Sequence, residues 1–242
     1  MLQLRILRSE TNRRNGELVN AIGDDMSSLN QFPYAPVMPA SREAFVEQEF
    51  HAGRDLQSGN TGTLPVTAAD VNEFWRQAGP SMWFAKDADF DRRFREAFLG
   101  AHEAAARGDL DPWMATPEGA LALLVLLDQF PRNAFRGTPR MYATDAAARR
   151  TAAAAVDAGH DRQMPCDLRT FFYLPFGHSE NLADQERSVA LCAPLGPPAS
   201  AHSARHRDIV KRFGRFPHRN PILGRKMTAD EQEFLDQGGY AG

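Results

Sequence analysis

Residues 116–133, TPEGALALLVLLDQFPRN, decide the fold that we predict for this chain. The stretch opens with a capping threonine, a proline in the first helical turn and an acid near the positive end of the helix dipole. The following run, Ala120–Leu127, is apolar on every side, so this helix is predicted to lie in the middle of a domain. We expect the helix to end within residues 128–133, because Pro131 lacks the amide hydrogen that a helix interior needs.

Helices are also predicted on both sides of this stretch. Apolar residues recur at helical spacing after Thr67 and after Asp87, and both of these side chains are typical helix caps. Later helices are predicted to start at Thr144–Asp145, Asp167, Leu182, Ser200 or Ser203, and Thr228. The segment that starts at Asp167 is expected to be broken by Pro175 and Gly177. Because no long strand-like alternation occurs and the connections are short, the predicted fold class is all-α, built from antiparallel helix pairs.

Residues 1–64 have a different composition from the rest of the chain. They are rich in Asn, Ser, Gly, Gln and Pro, which predicts a flexible N-terminal extension or a start site placed too far upstream. The predicted division is therefore an extension, 1–64, and an all-α domain, 65–242. The arginines near the N-terminus faintly resemble an organelle transit peptide, but a cytoplasmic location is the default.

Charge and composition exclude several classes of function. The chain has 28 Lys and Arg against 31 Asp and Glu, whereas a nucleic-acid-binding domain is usually strongly basic. No apolar run approaches the roughly 20 residues that cross a bilayer, so no membrane partner is predicted. The two cysteines, Cys166 and Cys192, fit no metal-site spacing.

One short motif occurs twice. Residues 129–133, QFPRN, and residues 215–220, RFPHRN, each place Phe-Pro before an Arg-Asn pair. One interpretation is that both are helix ends held by hydrogen bonds to free carbonyls. The other is that the two Arg-Asn pairs converge on one cleft, where paired guanidinium groups hold a carboxylate or a phosphate.

Histidines and acids are concentrated in the second half of the chain, where they alternate with aromatic residues. The predicted catalytic residues are His178, Glu180 and His218, and the predicted ligand-binding residues are Arg132, Asn133, His206, Asp208, Arg215, Arg219 and Asn220. A metal is not predicted, because His206 and Asp208, two residues apart, point to different faces of a helix. The sequence indicates no particular cofactor.

With these residues in view, the chain resembles a bacterial TPR-like family, the domain of unknown function 924. The resemblance extends over about Val66 to Phe234. It rests on Phe74-Trp75, Trp83-Phe84, Asp128–Asn133 with Arg136-Gly137, Phe172–Glu180, Leu182–Ala190 and His206–Arg225. It implies a helical array similar to tetratricopeptide repeats, and it implies no reaction, cofactor or partner.

Two functions from different classes follow from the sequence. The first is a polar cleft that binds or acts on a small anionic ligand, with His178 or His218 in proton transfer and Arg132 and Arg219 on the anion. On this hypothesis, Arg219→Ala and His178→Ala are expected to abolish binding with little change in melting temperature. The alternative is a protein-interaction module that binds a peptide in a helical groove. A pure scaffold or dimerisation unit is a third possibility, and the oligomeric state is left open.

Overall fold

The computed structural model describes residues Val66–Gly242, and the regular secondary structure of this part of the chain is helical. Its α-helices are α1 (Ala68–Ala78), α2 (Pro80–Trp83), α3 (Ala88–Arg107), α4 (Pro117–Leu124), α5 (Phe130–Ala134), α6 (Asp145–Asp157), α7 (Cys166–Gly177), α8 (Leu182–Cys192), α9 (Ala199–Phe213) and α10 (Ala229–Asp236). The predicted all-α fold class is confirmed for these residues. Among the helices described here, none has the length and apolar character that spanning a membrane requires. The extension predicted for residues 1–64 lies outside the described part, so the division of the chain stays a prediction.

Four predicted helix starts have the side-chain caps that the sequence indicates. The oxygens of Thr67, Asp87, Thr116 and Thr228 each accept a hydrogen bond from the backbone N–H three residues later, at 2.7–3.3 Å. In α1 and α10 an acid at the third helical position also bonds back to the cap residue. Each such cap satisfies a backbone donor that the helix itself leaves unpaired.

The helix predicted to be central is the centre of the domain. Every residue of Ala120–Leu127 is at most 3% exposed, and α4 packs against α1, α6 and α7. The aromatic face of α3 covers the C-terminal end of the apolar run, where the rings of Phe94 and Phe130 lie 5.2 Å apart. Full burial of one large apolar side chain contributes about 1.5–3 kcal/mol, so this apolar run is the main source of stability in the region.

The central helix runs through Pro131 and ends at Ala134, one residue beyond the predicted range of 128–133. Val125–Gln129 form a π-helical turn, in which the N–H of Phe130 bonds to the carbonyl of Val125, and α5 then continues to Ala134. Pro131 lies in the first turn of α5. Proline is tolerated there, because the first helical residues need no backbone donor.

Side chains from other helices pair with carbonyl groups of the π turn. Thr144 Oγ1 donates to the carbonyl of Leu127 at 2.6 Å, and His102 Nδ1 donates to the carbonyl of Leu126 at 2.9 Å. These donors compensate for the amide hydrogen that Pro131 lacks. The π turn is therefore tied to both α3 and the start of α6.

Of the two predicted break points after Asp167, Gly177 is the last residue of α7, whereas Pro175 lies inside the helix. Helix α7 continues through this proline to Gly177, and His178 caps it with a hydrogen bond from its N–H to the carbonyl of Leu174 at 2.8 Å. Helix α8 packs against both α7 and α9. This packing brings the end of α7 next to the middle of α9, where His206 lies.

Candidate functional site

Arg132 and Arg219, the arginines of the repeated motif, meet at one carboxylate. Asp145, in the first turn of α6, has Oδ1 at 2.9 Å from Arg132 Nη2 and Oδ2 at 3.4 Å from Arg219 Nη1. The three side chains are between 8% and 17% exposed. Two guanidinium groups from distant parts of the sequence therefore lie side by side in a largely buried position.

Asp128 joins this pair of arginines to His178. Asp128 Oδ1 lies 2.8 Å from His178 Nδ1 and 3.1 Å from Arg132 Nη1, while Gln129 Nε2 donates to Oδ2 at 2.6 Å. Burial opposes the ionisation of Asp128, but Arg132 and His178 outweigh it and lower its pKa. The π turn positions this carboxylate, and π turns are frequent at functional sites.

The protonation of His178 follows from its partner. An ionised carboxylate only accepts hydrogen bonds, so Nδ1 of His178 carries the hydrogen and Nε2 keeps its lone pair. Burial and the charge of Arg132 lower the pKa of His178 below its ordinary value, so the ring is neutral near pH 7. Its side chain is 13% exposed. His178 is thus an oriented, neutral base at the edge of the protein interior.

The backbone around His178 is held by two buried side chains. Gln185 is fully buried, and its Nε2 donates to the carbonyls of Gly177 and Ser179 at 2.7 and 2.6 Å. Arg219 Nη2 donates to the carbonyl of His178 at 2.9 Å. The position of the imidazole therefore depends on α8 and on the turn after α9 as well as on α7.

Three more histidines lie beside His178, and the four together are called the histidine cluster below: His178, His202, His206 and His218. The rings of His202 and His206 are 4.1 Å apart, and that of His206 is 6.3 Å from His178. Burial lowers the pKa of His202 to about 4, that of His218 to about 3, and that of His206 well below its ordinary value. Within Val66–Gly242, no group of three or more His, Cys, Asp or Glu side chains is arranged to hold a metal.

Glu180, a predicted catalytic residue, forms an ion pair with Arg225. Both Glu180 oxygens accept from this guanidinium, at 2.6 and 2.9 Å, and Oε1 also accepts from the N–H of Phe216 at 2.8 Å. Burial opposes its ionisation, but these hydrogen bonds outweigh burial and lower its pKa. Glu180 therefore links the end of α7 to the second copy of the repeated motif, near the histidine cluster.

Two predicted ligand-binding residues lie away from this cluster. Asn133 Nδ2 donates to Asp91 Oδ1 at 2.7 Å, so its side chain ties α5 to α3. Asp208 is exposed on α9 and pairs with its neighbour Arg207 at 2.7 Å. The two halves of the first Arg-Asn pair thus point in different directions, and only its arginine joins the site.

Arg215 and Asn220 hold the C-terminal helix. Arg215 donates to both oxygens of Glu231, at 2.6 and 2.8 Å, and Asn220 Nδ2 donates to the sulfur of Met227 at 3.3 Å. Glu231 is the acid of the capping box that starts α10. These contacts anchor residues 227–236 onto the turn after α9.

The sequence reasoning missed three residues of the site. Asp128 carried a signal, because it is an acid directly after eight apolar residues in a helix predicted to be buried. Asp145 has only the sequence signature of a helix start. Tyr142, whose ring lies 4.6 Å from the guanidinium carbon of Arg219, follows no pattern that marks it.

Comparison with known proteins gives a family match over most of the described part. The family described as "Bacterial protein of unknown function (DUF924)" matches residues 71–239. The chain belongs to this family. The resemblance seen in the sequence is therefore confirmed, while the likeness to tetratricopeptide repeats stays a prediction. The histidine cluster, Asp128, Asp145 and the two arginines all lie within the matched residues of this DUF924 chain.

A solved structure of a protein of unknown function from Agrobacterium tumefaciens is similar to this DUF924 chain. The two are 55% identical, with a TM-score of 0.70, and the alignment covers 71% of this chain and 97% of that one. No curated protein matches the sequence. The comparisons establish the family, and the chemistry of the site has to be argued from its residues.

Proposed function

We propose that this chain binds a small carboxylic acid, or a molecule of similar acidity, at Arg132 and Arg219, and that His178 exchanges a proton with it. The observation that carries the proposal is the contact of Asp128 with both His178 and Arg132, at 2.8 and 3.1 Å. One carboxylate thereby holds a neutral base next to a guanidinium group. This combination supports acid–base chemistry on an anionic ligand.

The charges of the site balance without a ligand. Asp128 and Asp145 are negative, Arg132 and Arg219 are positive, and His178 is neutral. A bound carboxylate adds a negative charge in a place where burial makes uncompensated charge costly. Protonation of His178 restores the balance, and Asp128 stabilises the imidazolium that forms. Binding of an anion is therefore coupled to uptake of a proton.

The same coupling supplies a catalytic step. The imidazolium that forms carries the added proton on Nε2 and donates it to the bound ligand, while the neighbouring arginines stabilise the negative charge of the ligand's carboxylate. A guanidinium presents its N–H groups in a planar fork that matches the two oxygens of a carboxylate. Proton transfer from a positioned acid of this kind typically accelerates a reaction by about 10²–10⁴-fold.

Calorimetry with propionate tests the proposal. The full chain is titrated near neutral pH in two buffers that differ in ionisation enthalpy, so that the difference in heat reports proton uptake. We expect binding with uptake of a proton. In His178→Asn the amide nitrogen replaces Nδ1 as the donor to Asp128 but no base remains, so binding is expected without proton uptake. Asp208→Asn, an exposed change, is the control that leaves both unchanged.

Testing the role of the arginines requires a milder substitution than Arg219→Ala, the variant suggested by the sequence. Because Arg219 is only 6% exposed and contacts Asp145 and the carbonyl of His178, Arg219→Ala is expected to destabilise the fold rather than leave its melting temperature nearly unchanged. Arg219→Lys keeps the charge and loses the planar fork. We expect it to weaken propionate binding by about 10- to 100-fold, the equivalent of one charged hydrogen bond.

Two results contradict the proposal. Proton uptake that persists in His178→Asn shows that His178 is not the group that takes up the proton. Equal binding by Arg219→Lys and wild type shows that the arginine fork does not bind the ligand. Native mass spectrometry of the purified chain distinguishes the proposed function from the alternative, a module that binds a peptide. A retained peptide, together with no binding of propionate, favours the interaction module.

A further inference from the structure

Three buried nitrogen atoms beside the proposed site have no hydrogen-bond partner among residues Val66–Gly242: His206 Nε2, His218 Nδ1 and Arg219 Nε. All three side chains lie close to one aromatic ring, that of Phe216. The centre of the Phe216 ring lies 5.2 Å from that of His206, 5.6 Å from that of His218 and 4.6 Å from the guanidinium carbon of Arg219. His206 and Arg219 are 2% and 6% exposed. Buried polar atoms are almost always paired, so three unpaired atoms around one ring require an explanation.

The hydrogen-bonding roles of two of these atoms are fixed. His206 Nδ1 lies 3.0 Å from the carbonyl of Gly177, and a carbonyl only accepts, so Nδ1 carries the hydrogen of the neutral ring. His206 Nε2 is therefore an acceptor that needs a donor. Arg219 Nε always carries a hydrogen, so it is a donor that needs an acceptor.

We infer that these atoms form a subsite for a hydroxyl oxygen, which donates to His206 Nε2 and accepts from Arg219 Nε. A carboxylate or phosphate oxygen without a proton has nothing to donate to His206, and an ammonium group has no lone pair for Arg219. A hydroxyl group has both. His218 Nδ1 fits either role, because no hydrogen bond within the described part of the chain fixes which of its ring nitrogens carries the hydrogen.

Tyr240 forms a wall of this subsite. Its ring centre lies 4.7 Å from that of His206 and 5.1 Å from that of His218. The hydroxyl oxygen has two possible sources, an enclosed water molecule or a hydroxyl group of a ligand. Arg219 also belongs to the proposed anion site, through its contact with Asp145 at 3.4 Å. Resting on the proposed function, the subsite therefore selects an acid with a hydroxyl group near its carboxylate, a hydroxy acid.

Lactate and propionate are a matched pair of probes, because they differ only in the hydroxyl group. We expect lactate to bind the full chain about 10-fold or more tightly than propionate, since a site built for a hydroxyl group discriminates against the analogue that lacks it. In His206→Asn the amide nitrogen replaces Nδ1 as the donor to Gly177 and the acceptor is lost. This variant is expected to bind both acids with equal affinity, close to that of propionate in the wild type.

Nuclear magnetic resonance of isotope-labelled histidine in the wild-type chain reads the subsite directly. Lactate, but not propionate, is expected to shift the Nε2 resonance of His206, with His102 as the unresponsive internal control. In the absence of either acid, cross-relaxation between water and the His206 ring identifies an enclosed water molecule. Lactate is expected to displace this water. A water that lactate does not displace assigns the hydroxyl oxygen to solvent alone and refutes selection of a hydroxy acid.

The outcomes separate this inference from the proposed function. Equal binding of the two acids, with proton uptake at His178, overturns the hydroxyl subsite and leaves the proposed function standing. An Nε2 resonance of His206 that responds to neither water nor lactate also overturns it. If neither acid binds and an enclosed water contacts His206, the subsite stands as a water site and the proposed function fails.

Discussion

Replacing Asp145 by asparagine tests whether the two arginines of the site depend on a shared charge. Asp145 lies 2.9 Å from Arg132 and 3.4 Å from Arg219, and asparagine keeps its volume while removing its charge. Arg132 retains Asp128 at 3.1 Å. Arg219 retains the carbonyl of His178, which has no net charge. Among the residues that the structure describes, the variant therefore leaves the buried guanidinium group of Arg219 without a direct counter-ion.

The expected cost is large, because Asp145 is one partner of a largely buried ion pair. Removal of one partner of a buried ion pair costs about 3–5 kcal/mol. Asp145 also lies in the first turn of α6, but loss of its interaction with the helix dipole accounts for only about 0.3–1 kcal/mol. Because each kcal/mol lowers the melting temperature of a domain of about 150–250 residues by about 2–4 °C, the expected fall is about 6–20 °C.

Urea unfolding followed by the helical circular-dichroism signal measures this cost. Asp157→Asn is the matched control in the same helix, because Asp157 pairs with Arg187 at 2.8 Å but is 71% exposed. Exposed pairs contribute about 0–1 kcal/mol. A cost for Asp145→Asn of about 1 kcal/mol or less refutes the reasoning, since the helix dipole alone then explains it.

A double variant separates the pair from its surroundings. If Asp145 and Arg219 stabilise each other, Asp145→Asn combined with Arg219→Gln costs less than the sum of the single changes, by about 0.5–3 kcal/mol. Strict additivity in the same urea experiment contradicts a direct interaction between the two side chains.

Three further results are expected. Burial lowers the pKa of every member of the histidine cluster, so the unfolded chain binds protons before the folded chain does as the pH falls. Stability is therefore retained above about pH 6.5 and is expected to fall below it by up to about 1.4 kcal/mol per histidine and pH unit. Urea unfolding between about pH 7 and about pH 5 measures this fall. Thr144→Val removes the donor to the carbonyl of Leu127 and is expected to cost about 1–3 kcal/mol in urea unfolding, whereas Thr144→Ser retains the hydroxyl and most of the stability. Gly119→Ala places a methyl group closer than van der Waals contact to the carbonyl of Trp113, so a fall in melting temperature corresponding to about 1–3 kcal/mol is expected. Gly100→Ala in α3, which meets nothing within 4 Å, is the control and is expected to raise the melting temperature slightly, because alanine has the higher helix propensity.

Part of the candidate site was readable from composition and spacing. The repeated Arg-Asn motif pointed to Arg132 and Arg219, and the density of polar residues among aromatic ones pointed to His178, His206 and His218. Asn133 and Asp208 lie elsewhere, because the direction of a side chain depends on helix rotation, and a one-residue difference turns it by about 100°. Spacing along the chain does not fix that rotation relative to other helices.

The sequence by itself determined the helical class, the buried centre and the caps. These depend on interactions between residues a few positions apart, such as the bond from the N–H of Gly119 to Thr116, or on an apolar run such as Ala120–Leu127. Only the tertiary structure decided that the helix passes through Pro131 and that Asp145 joins two distant arginines. Both outcomes depend on groups supplied by other segments, Thr144 for the carbonyl of Leu127 and Arg219 for Asp145. The local sequence does not specify which group of another segment will pair with a given carbonyl or carboxylate.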